Sequence, residues 1–198
     1  MTDELLGGCI GAVGAVFGGL VTGAFQLLAR SLTRPRLKLD FLGDDANLSQ
    51  STYMQNGQEI TQKFVRARLR NKGRRVARNC RVFLVGIEEV HPSGTAPTKF
   101  QDAMPLAWPE SPREYAPHDI PKGVNAYVDV VGVTTNQTRW RFHVKELLGD
   151  KQSRELLTTH KGTYRLKLVA TADYAKPKEF AINVHYDGEW NSLRAWPG

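Results

Sequence analysis

Residues 63–90 decide the fold class, and their sequence is KFVRARLRNKGRRVARNCRVFLVGIEEV. Apolar residues at alternate positions from Val65 to Leu69 are separated by arginines, which is the period-two pattern of a half-buried strand. The Asn71-Lys72-Gly73 sequence predicts a turn, because Asn and Gly tolerate positive φ. Residues 80–87 are apolar at both odd and even positions, so we expect the strand that contains them to be central in its sheet.

The rest of the chain supplies more strands and little helix. Alternating apolar residues predict strands at 35–42, 124–133, 139–145, 162–172 and 180–186. Seven prolines between residues 91 and 122 exclude a central strand or regular helix for most of that segment, except for a short edge strand over 104–108. Residues 43–62 are polar and are interpreted as a long loop, and 146–159 as one short helix. About seven short strands predict an antiparallel β-sandwich.

The turn region carries a resemblance to a known fold. The residues concerned are Val65, Leu69, Asn71, Gly73, Ala77, Asn79 and Val82. This run of about 25 residues resembles the B–C strand pair of immunoglobulin-like modules in bacterial and archaeal surface or adhesion proteins. The resemblance implies an immunoglobulin-like sandwich of about seven strands and carries no binding residue with it.

Residues 5–29, LLGGCIGAVGAVFGGLVTGAFQLLA, contain no charged residue. As a helix this segment reaches roughly 37 Å, enough to cross a ~30 Å hydrocarbon core. Its seven glycines would cost a water-soluble buried helix on the order of 6 kcal/mol, whereas glycine is frequent in membrane spans. A cleaved signal peptide is disfavoured, because Asp3 and Glu4 precede the apolar run instead of basic residues. We therefore expect one N-terminal transmembrane α-helix.

The flanking charges predict the orientation of that helix. Every Lys and Arg lies at or beyond residue 30, and a flank rich in Lys and Arg stays in the cytoplasm. The expected organisation is a short extracytoplasmic tail at 1–4, a transmembrane helix at 5–29 and a cytoplasmic β-sandwich domain at 30–198. The expected location is the inner (plasma) membrane of a prokaryote, with the N-terminus outside and the C-terminal domain cytoplasmic.

Small residues in the span form rows at helical spacing, which permits close helix–helix contact. The candidate contact residues are Gly7, Gly11, Gly14, Gly18, Gly19 and Gly23. The segment resembles the glycine zippers of some oligomeric channels and membrane toxins, which implies a homo-oligomer formed through this helix. A monomeric single span is the alternative.

The charge of the exposed part favours an anionic partner. From residue 30 onward there are 27 basic and 18 acidic residues, a formal charge of +9, which suits anionic lipid head groups or an acidic protein. The candidate contact residues are Arg30, Arg34, Arg36, Lys38, Arg66, Arg68, Arg70, Arg139 and Arg141. They are expected to share one sheet face, because the first, second and fifth strands of such a sandwich share a sheet. The alternative is a solvated face neutralised by Asp and Glu, and nucleic acid is less favoured because Trp140 and Phe142 are expected to point inward.

Catalytic signals are weak. The five histidines occur singly, and no metal-ligand spacing, phosphate-binding glycine loop or nucleophile elbow is present. Two cysteines in separate segments indicate no disulfide framework. We predict no cofactor, no metal site and no enzymatic activity. An enzymatic interpretation would need a pocket with at least two of His118, Asp119, His143 and His160.

The predicted function is therefore a single-pass, membrane-anchored cytoplasmic binding or assembly module. The alternative is an oligomerising glycine-zipper membrane effector or pore subunit, gated by a β-sandwich sensor domain.

Overall fold

The structure is a computed structural model that describes residues 34–44, 47–100, 102–109, 114–135, 141–142 and 161–198, with only the backbone of 141–142. Residues Pro35–Gly198 form one compact unit, separate from Met1–Arg34. The described residues form strands and a single 3-10 turn at Trp190–Ser192.

Twelve strands are found in the described ranges. They are β1 Leu37–Asp40, β2 Leu48–Gln55, β3 Gln58–Asn71, β4 Ala77–His91, β5 Gly94–Pro97, β6 Met104–Pro105, β7 His118–Ile120, β8 Asn125–Thr134, β9 Arg141–Phe142, β10 Gly162–Thr171, β11 Lys178–Tyr186 and β12 Arg194–Pro197.

The strands form two antiparallel sheets. The first has the order β1-β3-β8-β9, and β2 pairs with β3 on the same side as β1. The second has the order β12-β11-β10-β4-β5, and β6 and β7 also pair with β4. Since β4 pairs on both of its edges, the prediction of a central strand from its two-sided apolar pattern is confirmed.

Alternation along the strands directs one face of each sheet into a common core. Val65, Ala67 and Leu69 of β3 are fully buried, and so are inward residues of β4 such as Leu84. The core includes side chains from both sheets, which is an arrangement compatible with a β-sandwich.

The segment around β6 joins the two sheets at one edge. Leu106 donates its N–H to the carbonyl of Val82 in β4 (2.8 Å), and Asp129 in β8 donates its N–H to the carbonyl of Ala107 (2.9 Å). Leu106 and Trp108 are buried. The expected edge strand over 104–108 is therefore present as the two residues of β6 and the isolated bridge at Ala107.

The predicted loop at 43–62 is wrong, because β2 and the start of β3 form a long hairpin there. Asn56 and Gly57 connect the two strands with φ of 54° and 76°. An Asn-Gly pair with positive φ at both residues is the two-residue turn that matches the twist of a hairpin. The polar composition obscured the strands because residues 50–55 of β2 are all solvent-exposed, and Ile60 is the one buried residue of β3 before Phe64.

The predicted fold class, a sandwich of about seven strands with one transmembrane helix, is also wrong, although its mainly β, antiparallel character is found. Twelve strands replace the expected seven, and no α-helix occurs in the described ranges. Among those residues no helix is long and apolar enough to cross a membrane. The predicted transmembrane helix at 5–29, its glycine rows, and the short helix at 146–159 lie outside the described residues. The extra strands come from the hairpin and from short strands in the proline-rich and C-terminal segments, which carry too few residues for a periodic signal.

Candidate functional site

The outer face of the first sheet holds part of the predicted basic set. Lys38 of β1 lies opposite Arg70 of β3, and Arg66 and Arg68 follow on alternate positions of β3. β1, β3 and β9 lie in one sheet, with β8 between β3 and β9. The structure therefore brings Lys38, Arg66, Arg68 and Arg70 together.

Two carboxylates on the same face pair with three of these four cations and offset half of their charge. Arg68 donates two hydrogen bonds to Asp40, from Nε to Oδ1 at 2.7 Å and from Nη2 to Oδ2 at 3.0 Å, and Lys38 forms an ion pair with the same carboxylate. Arg66 donates its Nε–H to Oδ1 of Asp129 at 2.6 Å. These pairs make the face a structural ion-pair network more than a free cationic surface.

The two carboxylates respond differently to this environment. Burial by itself raises the pKa of Asp40, but the hydrogen bonds from Arg68 and Lys38 outweigh burial and hold the pKa below its usual value. Burial raises the pKa of Asp129 and outweighs the hydrogen bond from Arg66.

The other predicted contact residues are not part of this face. Arg36 is exposed and precedes β1, and Arg34 belongs to the separate unit Met1–Arg34. Arg30, Arg139 and the side chain of Arg141 lie outside what the structure describes.

A second basic surface, absent from the prediction, lies at the end of the domain where β3 turns into β4. Asn71 organises this end and is completely buried. Its Oδ1 accepts hydrogen bonds from the N–H groups of Gly73 (2.9 Å) and Arg36 (3.3 Å). Its Nδ2 donates to the carbonyls of Arg75 (2.6 Å) and Ile120 (3.1 Å). One side chain thus fixes the β3–β4 turn, the entry to β1 and the end of β7.

Backbone hydrogen bonds join neighbouring loops to the same end. Lys72 donates its N–H to the carbonyl of Arg36 (2.7 Å), and Gly123 donates to the carbonyl of Asn71 (2.9 Å). The β10–β11 turn is attached through Asp173, whose N–H donates to the carbonyl of Arg78 (3.0 Å).

These connections collect cations that we call the basic end: Arg36, Lys72, Arg74, Arg75, Arg78, Lys122 and Lys176. All seven are exposed, and within the described ranges none forms a salt bridge. The nearby acids Asp119 and Asp173 accept hydrogen bonds from the backbone N–H and side-chain amide of Asn79. The basic end therefore carries unpaired positive charge.

Exposed apolar side chains lie among these cations. Val76 is 44 % exposed, Val124 46 % and Tyr174 92 %. Tyr174 adopts φ of 58°, a left-handed conformation that is uncommon for an aromatic residue and carries a steric cost. Among the described residues, the end thus combines cations outside any salt bridge with apolar side chains that are exposed.

Sequence reasoning missed the basic end because its members come from four separate loops and from the start of β4. The local signal was present in Lys72, Arg74 and Arg75, which lie in or directly after the predicted turn. Connecting segments run over the protein surface, so a run of cations in a turn is expected to be exposed.

A small cavity of about 210 Å³ lies beside the basic end, lined in part by Trp108, His118, Asp119 and Tyr127. The rings of Trp108 and His118 are in contact, with centroids 5.5 Å apart. The cavity is lined by His118 and Asp119, which is the minimum of two residues set for an enzymatic interpretation, while His143 and His160 lie outside the described residues. Asp119 is already hydrogen-bonded to the backbone of Asn79 (2.9 Å). In the described part of the chain no group of three His, Cys, Asp or Glu residues could hold a metal ion.

The fold and site define a mainly β protein with antiparallel sheets, compatible with a β-sandwich. No protein-family model, curated protein or solved structure matches this chain.

Proposed function

We propose that this protein is a non-catalytic binding module that docks its basic end on an anionic lipid surface. The observation that carries the proposal is the set of seven exposed cations, interleaved with exposed Val76, Val124 and Tyr174. Within the part of the chain that the structure describes, none of the seven pairs with a carboxylate.

The energetics favour such docking. A basic residue close to an anionic leaflet contributes about 1 kcal/mol, so a few of the seven are enough for measurable binding. A tyrosine ring is amphipathic and prefers the interface between lipid and water. The turn residues need no rearrangement, because Asn71 already fixes their backbone.

Lipid is favoured over an acidic protein or a nucleic acid by the side chains among the cations. Isolated apolar residues on loop tips gain by entering the head-group region. Nucleic-acid binding relies on several stacking aromatic residues along a groove, and Tyr174 is the one exposed aromatic residue that the described loops place here.

The test is vesicle co-flotation of the full chain with neutral phosphatidylcholine vesicles and with vesicles that also contain phosphatidylserine. The variant R74E/R75E removes two cations and adds two anions at the basic end. The control K99E/K161E makes the same change of charge at exposed positions elsewhere in the domain.

Each lost cation should cost about 1 kcal/mol of binding free energy. We therefore expect R74E/R75E to weaken the phosphatidylserine-dependent part of binding by at least roughly 30-fold. The control should lose much less. Equal losses in the two variants would show only a net-charge effect, and no dependence on phosphatidylserine would refute the proposal.

A further inference from the structure

The outer edge of β2 is an unprotected strand edge. β2 pairs with β3 along its whole length, from Leu48 opposite Val65 to Gln55 opposite Gln58. No described strand pairs with its other edge. The residues from 50 to 55 are all exposed.

The register shows which backbone groups face outward. Arg66 donates its N–H to the carbonyl of Asn47 (2.7 Å), so odd-numbered residues at this end of β2 point toward β3. In an antiparallel pair the direction of the N–H and C=O groups alternates along the strand. The N–H and C=O of Gln50, Thr52 and Met54 therefore point away from β3.

Three other edge strands, β1, β5 and β12, carry features that block strand addition. β5 and β12 have four residues each and end in proline, and β1 has four residues that include Lys38 and Asp40. Short length, proline and charge are the usual protections of a sheet edge. β2 has eight residues, LSQSTYMQ, with neither charge nor proline.

We infer that β2 pairs antiparallel with β2 of a second copy of this chain, with Thr52 opposite Thr52 of that copy. This register places Gln50 opposite Met54 on both sides of the centre. The outward groups of the three residues then form six backbone hydrogen bonds across the interface. The contact is self-complementary and closed, as a two-fold dimer requires.

The distribution of charge favours a second copy of this chain as the partner of the β2 edge. The chain carries +7, so most surfaces of two copies repel each other. Residues 48–58 contain no charged side chain, which lets two copies approach here without like charges opposite one another. The exposed apolar residues of the hairpin, Tyr53 (41 %) and Met54 (67 %), lie on this strand.

The inference is independent of lipid binding. β3 runs from the hairpin to Asn71, so the hairpin and the basic end are at opposite ends of that strand. Antiparallel pairing of two β2 strands therefore leaves both basic ends free.

The first experiment is disulfide cross-linking of the full chain with T52C in a C9S background. Cys80 is buried and does not compete. The Cα atoms of a hydrogen-bonded antiparallel pair are about 5.5 Å apart, within the range for a disulfide. The matched control is Q58C, an exposed hairpin position on β3. Its counterpart would lie three strand spacings across and six residues along the sheet, roughly 25 Å away.

We expect T52C to form a covalent dimer under mild oxidation and Q58C to remain uncross-linked. Similar cross-linking of both variants, or of neither, would overturn the inference.

The second experiment is sedimentation of T52P, which removes the outward N–H and keeps the backbone hydrogen bonds between β2 and β3. The exposed side-chain hydrogen bond between Thr52 Oγ1 and Thr61 Oγ1 (3.2 Å) is also lost. Two hydrogen bonds per dimer are lost, so the dimer should dissociate about 30 times more readily with an unchanged circular dichroism spectrum. If the wild type and T52P sediment identically, the wild type does not associate through β2 and the pairing is refuted.

Discussion

Replacement of Asn71 by alanine is the sharpest test of how the basic end is held. The side chain is completely buried and makes four hydrogen bonds that join three segments of the chain. Alanine keeps the strand backbone and removes all four at once. The fold of the sheets should survive, while the turn and the end of β7 lose their common anchor.

The size of the effect follows from the burial of the partners. The bonds to the Gly73 N–H and the Ile120 carbonyl are fully buried, whereas those to Arg36 and Arg75 are partly exposed. A buried polar group left without a partner costs about 1–3 kcal/mol. Water can replace the two partly exposed bonds, so we expect N71A to lower the free energy of unfolding by roughly 2–5 kcal/mol.

Urea unfolding followed by circular dichroism measures this loss. The control is N125A, the same substitution at an exposed position of β8, which should change the free energy of unfolding by less than about 0.5 kcal/mol. The m-values of both variants should match that of the wild type, since the exposed area is the same. A loss in N71A no larger than that in N125A would refute the assigned role of Asn71.

Three further predictions concern other parts of the domain. The lowered pKa of Asp40 means that its carboxylate stabilises the fold only while it is ionised, so the wild type should lose this stability as pH falls below about 4. D40N lacks the carboxylate, so its free energy of unfolding should fall much less over the same pH range. Urea titrations between pH 3 and 7 measure both proteins, and an equal pH dependence would contradict this. The raised pKa of Asp129 has the opposite sign and is common to both proteins. In a C9S background, Cys80 should resist iodoacetamide at pH 8 until urea unfolds the chain, because burial raises the pKa of its thiol to about 12; rapid labelling of the folded protein would show that the thiol is accessible. For Y174G, the free energy of unfolding should stay equal or rise by up to about 1 kcal/mol, since glycine accepts positive φ, while binding to phosphatidylserine vesicles weakens; a loss of stability with unchanged binding would contradict both roles.

The strong strand signals in the sequence led to correct elements. β4, β8, β10 and β11 follow alternating or continuous apolar runs of seven residues or more, and each lies where the pattern indicates. The second half of β3 follows the alternation from Val65 to Leu69. The strand can be predicted from such a run because the local pattern of apolar side chains shows which face is buried.

The hairpin of β2 and β3 shows a different limit. Residues 50–55 of β2 are exposed and the segment carries no apolar alternation, so the local signal for the hairpin is Asn56-Gly57. That pair is a strong hairpin signal, although the polar composition around it is typical of a loop.

The basic residues show why a charged surface is hard to derive from a single strand. Arg66 and Arg68 form regular cationic positions in the sequence, but their partners Asp129 and Asp40 lie 63 and 28 residues away. Strand register, which sets these pairs, depends on tertiary packing. The location and orientation expected from residues 5–29 stay predictions, because that segment lies outside the described residues.

The most direct test of lipid docking is to find which end of the domain enters the membrane surface. Single cysteines at Val76, in the basic end, and at Ser93, in the turn at the other end of β4, would be labelled with an environment-sensitive fluorophore in the C9S chain. On addition of phosphatidylserine vesicles, we predict a blue shift and higher emission for the label at 76 and an unchanged spectrum for the label at 93. An equal response at both positions, or a response at 93 alone, would contradict docking through the basic end.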